Sequence, residues 1–320
     1  MTWLVTGGAG YIGAHVVRAM VRDGQQVVAL DDLSTGRRDR VDPGAAFVEG
    51  SVLDRELLDR VFAEHGVRGV VHIAAKKQVG ESVASPLVYW RENLSGLVEL
   101  LSACQEAGAD RFVFSSSAAT YGLPDVDAVT EDTTGIPLSP YGETKLVGEW
   151  VLRDCETAFG LRTMTMRYFN VAGTADPGLG DVGVFNLIPM VFERLEAGER
   201  PRVFGADYPT PDGTCIRDYV HVADIADAHL AAARALDDGA PSATYNIGRG
   251  EGSSVLDVLK VVGEVTGLDA TPDVVDRRPG DPARIVATVD RIRAGLGFEA
   301  RHDLRDMVES AWAGWRLLHD

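Results

Sequence analysis

The sequence predicts an α/β protein: a doubly wound parallel sheet covered by helices on both faces, with a smaller, discontinuous α/β lobe attached. Three observations carry this. Short apolar, β-branched runs alternate with longer helical segments through the first half of the 320 residues. A glycine-rich turn joins the first of these runs to the first helical segment. After about residue 170 the rhythm breaks into the glycine- and proline-rich stretch VAGTADPGLGDVG, followed by short elements and long loops.

The strand runs are TWLVT (2–6), QVVAL (26–30), AFVEG (46–50), GVVHI (69–73), RFVFS (111–115) and TMTMRYF (163–169). Strands buried on both faces read as apolar runs, and their right-handed crossovers are the helices between them. TYNIG (244–248) is expected to return to the same sheet. Residues 1–170, with roughly 220–250, are therefore expected to form a nucleotide-binding domain, and residues 171–219 and 251–320 a substrate-binding lobe. Repeats and low-complexity tracts are absent.

The chain carries 48 acidic and 31 basic residues, a formal charge of −17. That balance argues against nucleic-acid and membrane-surface partners, so an anionic ligand needs a local cluster of cations. No run approaches a membrane span, and MTWLVTGG enters a strand directly, so a cytoplasmic protein is expected. Cys104, Cys155 and Cys215 are scattered, odd in number and without metal-ligand spacing. They read as buried fillers, and no metal is expected.

TGGAGYIG places Gly7, Gly10 and Gly13 between the first strand and a helix. The glycines allow a tight turn and close backbone approach, while the helix N-terminus offers N–H groups to a pyrophosphate. A glycine loop alone is a weak signal, because any tight strand-to-helix turn favours glycine. Asp31 strengthens it by ending the second strand 18 residues after Gly13, where a carboxylate accepts from both ribose hydroxyls and repels a 2′-phosphate. This is the Rossmann arrangement, and it favours NAD over NADP. Arg37 and Arg38, close behind, could blunt the preference or simply be solvated loop cations.

FSSSAATYG brings Ser115, Ser116 and Ser117 to the carboxyl end of the fifth strand, where open α/β sheets bind ligands. In SPYGETK, Ser139 reads as an N-cap, Pro140 as the first helical residue, and Tyr141 and Lys145 share one helical face. Leu146, Val147, Trp150 and Val151 read as the set that docks this helix on the sheet. A free phenol has a pKa near 10, but Lys145 one turn away and a nicotinamide cation both favour the phenolate. Tyr141 then serves as general base toward a substrate hydroxyl, with Ser117 bonded to the same oxygen as hydride leaves its carbon. Taken singly, each residue has an ordinary structural reading; behind a dinucleotide cradle the three read as one catalytic group. His72 and His221 read as satisfied structural histidines.

The segments TGGAGYIG, SSSAATYG and YGETK resemble the extended short-chain dehydrogenase/reductase family, whose members act on nucleotide sugars with bound NAD. HIAAKKQVGES, RYFNVAG, FGADYPTPDGTCIRDYVHVADIADAH and RRPGDPA narrow the likeness, over essentially the whole chain, to members that invert carbon 4 of UDP-hexoses. The resemblance implies Ser117, Tyr141 and Lys145 as the catalytic trio. It implies Gly7, Gly10, Tyr11, Ile12, Gly13, Asp31, Ser51, Val52, Lys77, Asn93, Tyr141, Lys145 and Phe169 at the cofactor. On the UDP-sugar it implies Ser117 and Tyr141, with Asn170, Asn186 and Leu187 near the diphosphate. Arg217 and Arg278 would grip phosphate, Asp281 the ribose, and Arg202, Val203 and Phe204 would lie beneath the uracil. Ser51 stands where the family commonly has an aspartate for the adenine, which implies a weaker bond there. A homodimer pairing the helices of residues 86–108 and those after Tyr141 is also implied.

The activity so implied is reversible epimerisation at carbon 4 through a bound 4-keto sugar. Arg217 and Arg278 supply the cations that a protein of charge −17 needs for a diphosphate. An epimerase of N-acetylated UDP-sugars stays open, since PARIVA after Asp281 leaves the sugar gate unassigned. A 4,6-dehydratase would need an acidic pair where SSSAATYG has alanines, and an NAD-sensing regulator would have no need of the Tyr141 and Lys145 pair.

Overall fold

The computed structural model describes residues 1–278 and 280–319. Pro279, inside the RRPGDPA segment, and Asp320, at the end of the predicted lobe, lie outside the described residues. β1 (Thr2–Thr6) leads through the glycine turn into α1 (Tyr11–Arg22), followed by β2 (Gln26–Asp31), β3 (Ala46–Glu49), α2 (Arg55–His65) and β4 (Val67–His72). Short helices α3 (Val79–Ala84) and α4 (Pro86–Tyr89) pass through a π-helical turn, Trp90–Ser95, into α5 (Gly96–Ala107). β5 (Arg111–Ser117), α6 (Pro140–Phe159) and β6 (Arg162–Tyr168) complete the alternation.

Shorter elements follow: β7 (Asn170–Ala172), α7 (Leu187–Glu196), β8 (Arg202–Phe204), β9 (Ile216–His221), α8 (Val222–Asp237) and β10 (Ala243–Ile247). The chain ends with β11 (Gly252–Ser254), α9 (Val255–Thr266), β12 (Asp273–Val275), β13 (Arg284–Ile285), α10 (Asp290–Leu296) and α11 (Leu304–His319).

Seven strands form one sheet in the order β10-β6-β5-β4-β1-β2-β3. The pairs β1–β2, β2–β3, β1–β4 and β4–β5 are parallel. The order reverses between β1 and β4, the switch point at which such sheets bind ligands. Leu4, Leu30, Val70, Phe112 and Leu100 fill the core against the helices. β10 returns to the sheet edge beside β6, as TYNIG predicts.

The chain divides into two units, residues 1–121, 135–167 and 226–245, and residues 122–134, 168–225 and 246–320. The expected boundary gave 122–134 to the first domain. In the structure Val129 bridges Ala287, accepts from the Thr288 amide and donates to Val286, so this loop belongs to the second unit. That unit has its own sheet, β11-β9-β13 with β7 also on β9, a parallel β8–β12 pair, and a core that includes Ile188, Phe192, Leu259, Met307 and Trp315.

Ser139 caps α6 as expected, its hydroxyl accepting from the Gly142 amide, and Pro140 opens the helix. The docking face matches the expected one only in part: Val151 packs against the core, while Leu146 and Val147 are half-buried. Tyr141, Thr144, Lys145, Gly148 and Leu152 are buried, whereas Trp150 is 48% exposed. Full burial of Leu152 stabilises by about 2 kcal/mol. The three cysteines are free thiols, Cys104 and Cys215 buried and Cys155 partly so. Among the described residues no helix is long and apolar enough to cross a membrane, and no cluster of metal ligands occurs.

Candidate active site

Gly7 holds the turn after β1 in a left-handed conformation (φ 70°) and donates to the Leu30 carbonyl at 2.8 Å. A Cβ there would meet the Ala74 amide nitrogen at 2.8 Å. α1 begins at Gly10 with no side-chain cap, which leaves its N-terminal dipole to an anion. Tyr11, Ile12 and Gly13 form its first turn. Asp31, at the end of β2, accepts from the Ala9 amide at 3.0 Å and the Leu33 amide at 2.9 Å. Burial pushes its carboxyl up against those two bonds, and each oxygen keeps a lone pair for a ribose hydroxyl. Arg37 is paired with Asp39 at 2.5 Å and Arg38 lies 4.9 Å over the Phe47 ring, so both loop cations already have partners. The cradle fits a dinucleotide without a 2′-phosphate.

β5 runs two residues further than expected, so Ser117 is its last residue. The Ser117 hydroxyl accepts from the Ala119 amide at 3.1 Å, and Ser117 favours ionisation of the Tyr141 phenol. Tyr89 packs edge-on against the Tyr141 ring with centroids 6.5 Å apart. Lys145 donates to the Ser115 carbonyl at 2.8 Å, with its nitrogen 5.0 Å over the Phe114 ring. Burial raises Tyr141, opposed by Ser117, and burial pulls Lys145 down to about 7, opposed by Glu149. A desolvated phenol stays protonated until positive charge is brought to it.

Around the cradle, the Lys77 ammonium lies 6.0 Å over the Tyr11 ring. Asn93, in the π-helical turn, is committed to protein partners. It accepts from the Lys76 amide at 2.8 Å and donates to the Lys76 carbonyl at 3.0 Å and the Thr144 hydroxyl at 3.1 Å. It thereby ties the Lys77 loop to the catalytic helix. The Ser51 hydroxyl accepts from the Leu53 amide at 3.1 Å, and Val52 is buried. His72 is a satisfied core histidine, 2.8 Å from the Thr6 hydroxyl, and His221 accepts from the Ala223 amide at 3.0 Å.

All of the catalytic and cofactor candidates except Phe169 lie in the first unit. Phe169 and the nucleotide-gripping set lie in the second. Arg202, Val203 and Phe204 form β8, and the Arg278 guanidinium stacks 3.6 Å over the Phe204 ring. Arg217, on β9, donates to the Pro282 carbonyl at 2.8 Å and lies 3.4 Å from Asp281. Asn170 pairs with Tyr219 on that same strand. Asn186 starts α7 without capping it, donating instead to Asp181 at 2.9 Å, and Leu187 is the helix's first residue.

Sequence reasoning passed over two acids, Glu149, which is half-buried, and Asp218, which is buried. Glu149 repeats the Tyr141–Lys145 spacing once more along α6, and that interval was the available signal. Asp218, beside Arg217, has no local signal: it accepts from the amides of Arg249 (2.8 Å), Gly250 (3.0 Å) and Ala287 (3.2 Å). Burial pushes it up to about 6 from 3.8, against those three amides. The folded state therefore binds its proton more tightly than the unfolded chain, and this contribution to stability falls as pH rises from about 4 to about 6. Asp218→Asn places an amide N–H against a backbone N–H and destabilises by about 1–3 kcal/mol. It also removes the carboxyl's pH dependence, worth up to roughly 3 kcal/mol. Urea unfolding of both proteins at pH 4.5 and pH 7 checks this; parallel pH dependences would refute it.

Residues 3–248 match the NAD dependent epimerase/dehydratase family. The chain is 46% identical over 318 residues to the UDP-glucose 4-epimerase of Azospirillum brasilense, covering 98% of this chain and 91% of that protein. It superposes with a TM-score of 0.96 and 39% identity on the Stenotrophomonas maltophila UDP-glucose-4-epimerase with bound NAD and formylated UDP-arabinopyranose, covering 99% and 98% of the two chains. The Bifidobacterium longum enzyme in complex with NAD+ and UDP matches at TM-score 0.91 and 36% identity, over 100% of this chain and 99% of that one.

Proposed function

This chain belongs to the NAD dependent epimerase/dehydratase family, and from that premise we propose that Ser117, Tyr141 and Lys145 carry the reversible inversion of carbon 4 in a UDP-hexose. The observation that carries the assignment is the seating of Lys145, one turn along α6 from Tyr141, on the Ser115 carbonyl at 2.8 Å, two residues before Ser117 at the end of β5, in the unit that holds the glycine cradle.

Tyr141 takes the proton of the 4-hydroxyl, and Ser117 donates to the same oxygen. NAD held in the cradle would supply a reversible hydride acceptor for carbon 4, which makes the reaction redox-neutral overall. Because burial raises the phenol, the Lys145 ammonium has to remain charged for Tyr141 to ionise. Asp31 holds the cofactor's ribose, while the first turn of α1 takes its pyrophosphate.

Inversion requires the 4-keto sugar to present both faces in turn. The grip therefore belongs on the UDP end: Arg217 and Arg278 on the diphosphate, Asp281 on the ribose, β8 under the base. Asn170, Asn186 and Leu187 complete this grip. Binding energy spent there, away from the reacting carbon, leaves the sugar loose enough to turn.

A homodimer working in the cytoplasm is part of the same proposal. Val83 on α3, Leu87 on α4, Val98 on α5 and Trp150 on α6 are exposed, with Leu87 at 80%, and support pairing through these helices. The three free thiols suit a reducing compartment.

The test is incubation of purified protein with UDP-galactose and no added cofactor, followed chromatographically for UDP-glucose. Interconversion is expected, with NAD carried through purification. Absence of turnover even after NAD is supplied would overturn the reading. UDP-N-acetylgalactosamine run alongside reports how wide the sugar pocket is.

A further inference from the structure

α6 carries a third ionisable side chain on the Tyr141 and Lys145 face that no catalytic step uses. Glu149 lies one turn beyond Lys145, its side chain 9% exposed. Its carboxylate accepts from the Ser116 hydroxyl at 2.5 Å and from Arg167 Nε and Nη2 at 2.9 and 2.6 Å. Arg167, 11% exposed, also donates to the Tyr121 hydroxyl at 3.0 Å and stacks on that ring. A buried ion pair costs about as much in desolvation as it returns in attraction, so stability alone explains it poorly.

Its position explains it better. Ser116 lies between Ser115, whose carbonyl takes the Lys145 ammonium, and Ser117, which favours ionisation of Tyr141. One carboxylate thus fixes the strand end from behind while standing one helical turn from the lysine. Several groups face Lys145. Tyr141 and Glu149 stand on its own helix, and the Ser115 carbonyl and Phe114 ring come from β5. His72, from β4, stacks on Phe114 and is kept neutral, pulled down to about 3 by burial and by Lys145 itself. Arg167, from β6, spends its charge on Glu149. Glu149 is the anion that opposes the desolvation of the ammonium.

We propose that Glu149, clamped by Arg167 and Ser116, is a positioning residue that keeps the Lys145 ammonium charged against the Ser115 carbonyl and so holds Tyr141 ready to ionise. This rests on Tyr141 and Lys145 being the reacting pair. Removing the carboxylate lets Lys145 lose its proton at lower pH, and the phenol then ionises at higher pH.

The test uses the NAD-bound protein carrying Glu149→Gln, with the Glu149→Gln/Arg167→Gln double variant to avoid a stranded buried cation. Two quantities are read: the acid limb of kcat/KM against pH, and the phenolate absorbance of Tyr141, taken as the difference from Tyr141→Phe. Both are expected to move up by about one pH unit in the single variant, a tenfold loss at fixed pH below the limb. The double variant moves in the same direction while melting closer to wild type, and it gives the reading alone if the single variant does not fold. A lower melting temperature with an unshifted limb and an unshifted phenolate would overturn the proposal, leaving Glu149 a purely structural role. An active Tyr141→Phe would instead overturn the catalytic assignment beneath it.

Discussion

Tyr141→Phe is expected to lower kcat by about 10²–10⁴-fold while leaving the fold and the retained NAD in place. Ser117 favours the ionised form of that hydroxyl, and the ring's edge-on contact with Tyr89 survives its removal. The buried ring therefore keeps its packing, and the stability cost is at most about 1 kcal/mol. Catalysis loses the group that accepts the 4-hydroxyl proton, and no neighbour replaces it. Lys145 is occupied with the Ser115 carbonyl, and His72 is held by Thr6 and pulled far below its ordinary range. Steady-state turnover of UDP-galactose, with the NAD content measured on the same preparation, decides the matter. A variant within a few fold of wild type would remove Tyr141 from the mechanism, whereas an inactive variant that had also lost NAD would point to the cradle.

The first half of the fold was legible because its signals are local. A buried parallel strand must be apolar, a dinucleotide turn must lack side chains, and both requirements appear directly in TWLVTGGAGYIG. The site residues were legible as positions, less so as electrostatics. Spacing puts Tyr141 and Lys145 on one face, but it does not reveal that both are buried and that desolvation drives the lysine down and the phenol up. The docking face of α6 misled for a related reason. Val151 packs on the core as its apolarity suggests, but Trp150 marks a surface left exposed, while the buried face also carries Lys145 and the polar Thr144. Long-range contacts were out of reach: nothing near Val129 announces a bridge to Ala287, and nothing near Asp218 announces three amides from two distant loops.

Gly13→Ala is expected to abolish NAD retention and to lower stability by about 1–3 kcal/mol or more. Two effects compete at this position. Gly13 is the third residue of α1, where alanine's helix propensity would stabilise by up to about 1 kcal/mol. Its Cβ, however, would lie 1.9 Å from the Gly7 carbonyl oxygen, 2.7 Å from the Gly7 carbonyl carbon and 3.0 Å from the Gly8 Cα. These are backbone atoms of a turn already held to Leu30 and backed by the Ala74 amide, so they cannot rotate away as a side chain would. Steric overlap therefore outweighs propensity, and α1 must draw back from β1, taking its N-terminal dipole away from the pyrophosphate. Gly10→Ala is the informative companion. Its Cβ would approach the Gly7 oxygen at 3.3 Å, which a small shift relieves, so the fold should survive there while the added methyl impedes the cofactor's approach. Thermal melting together with nucleotide released on denaturation separates the two variants: a Gly13→Ala protein with wild-type melting temperature and full NAD would mean that the turn is not the cradle.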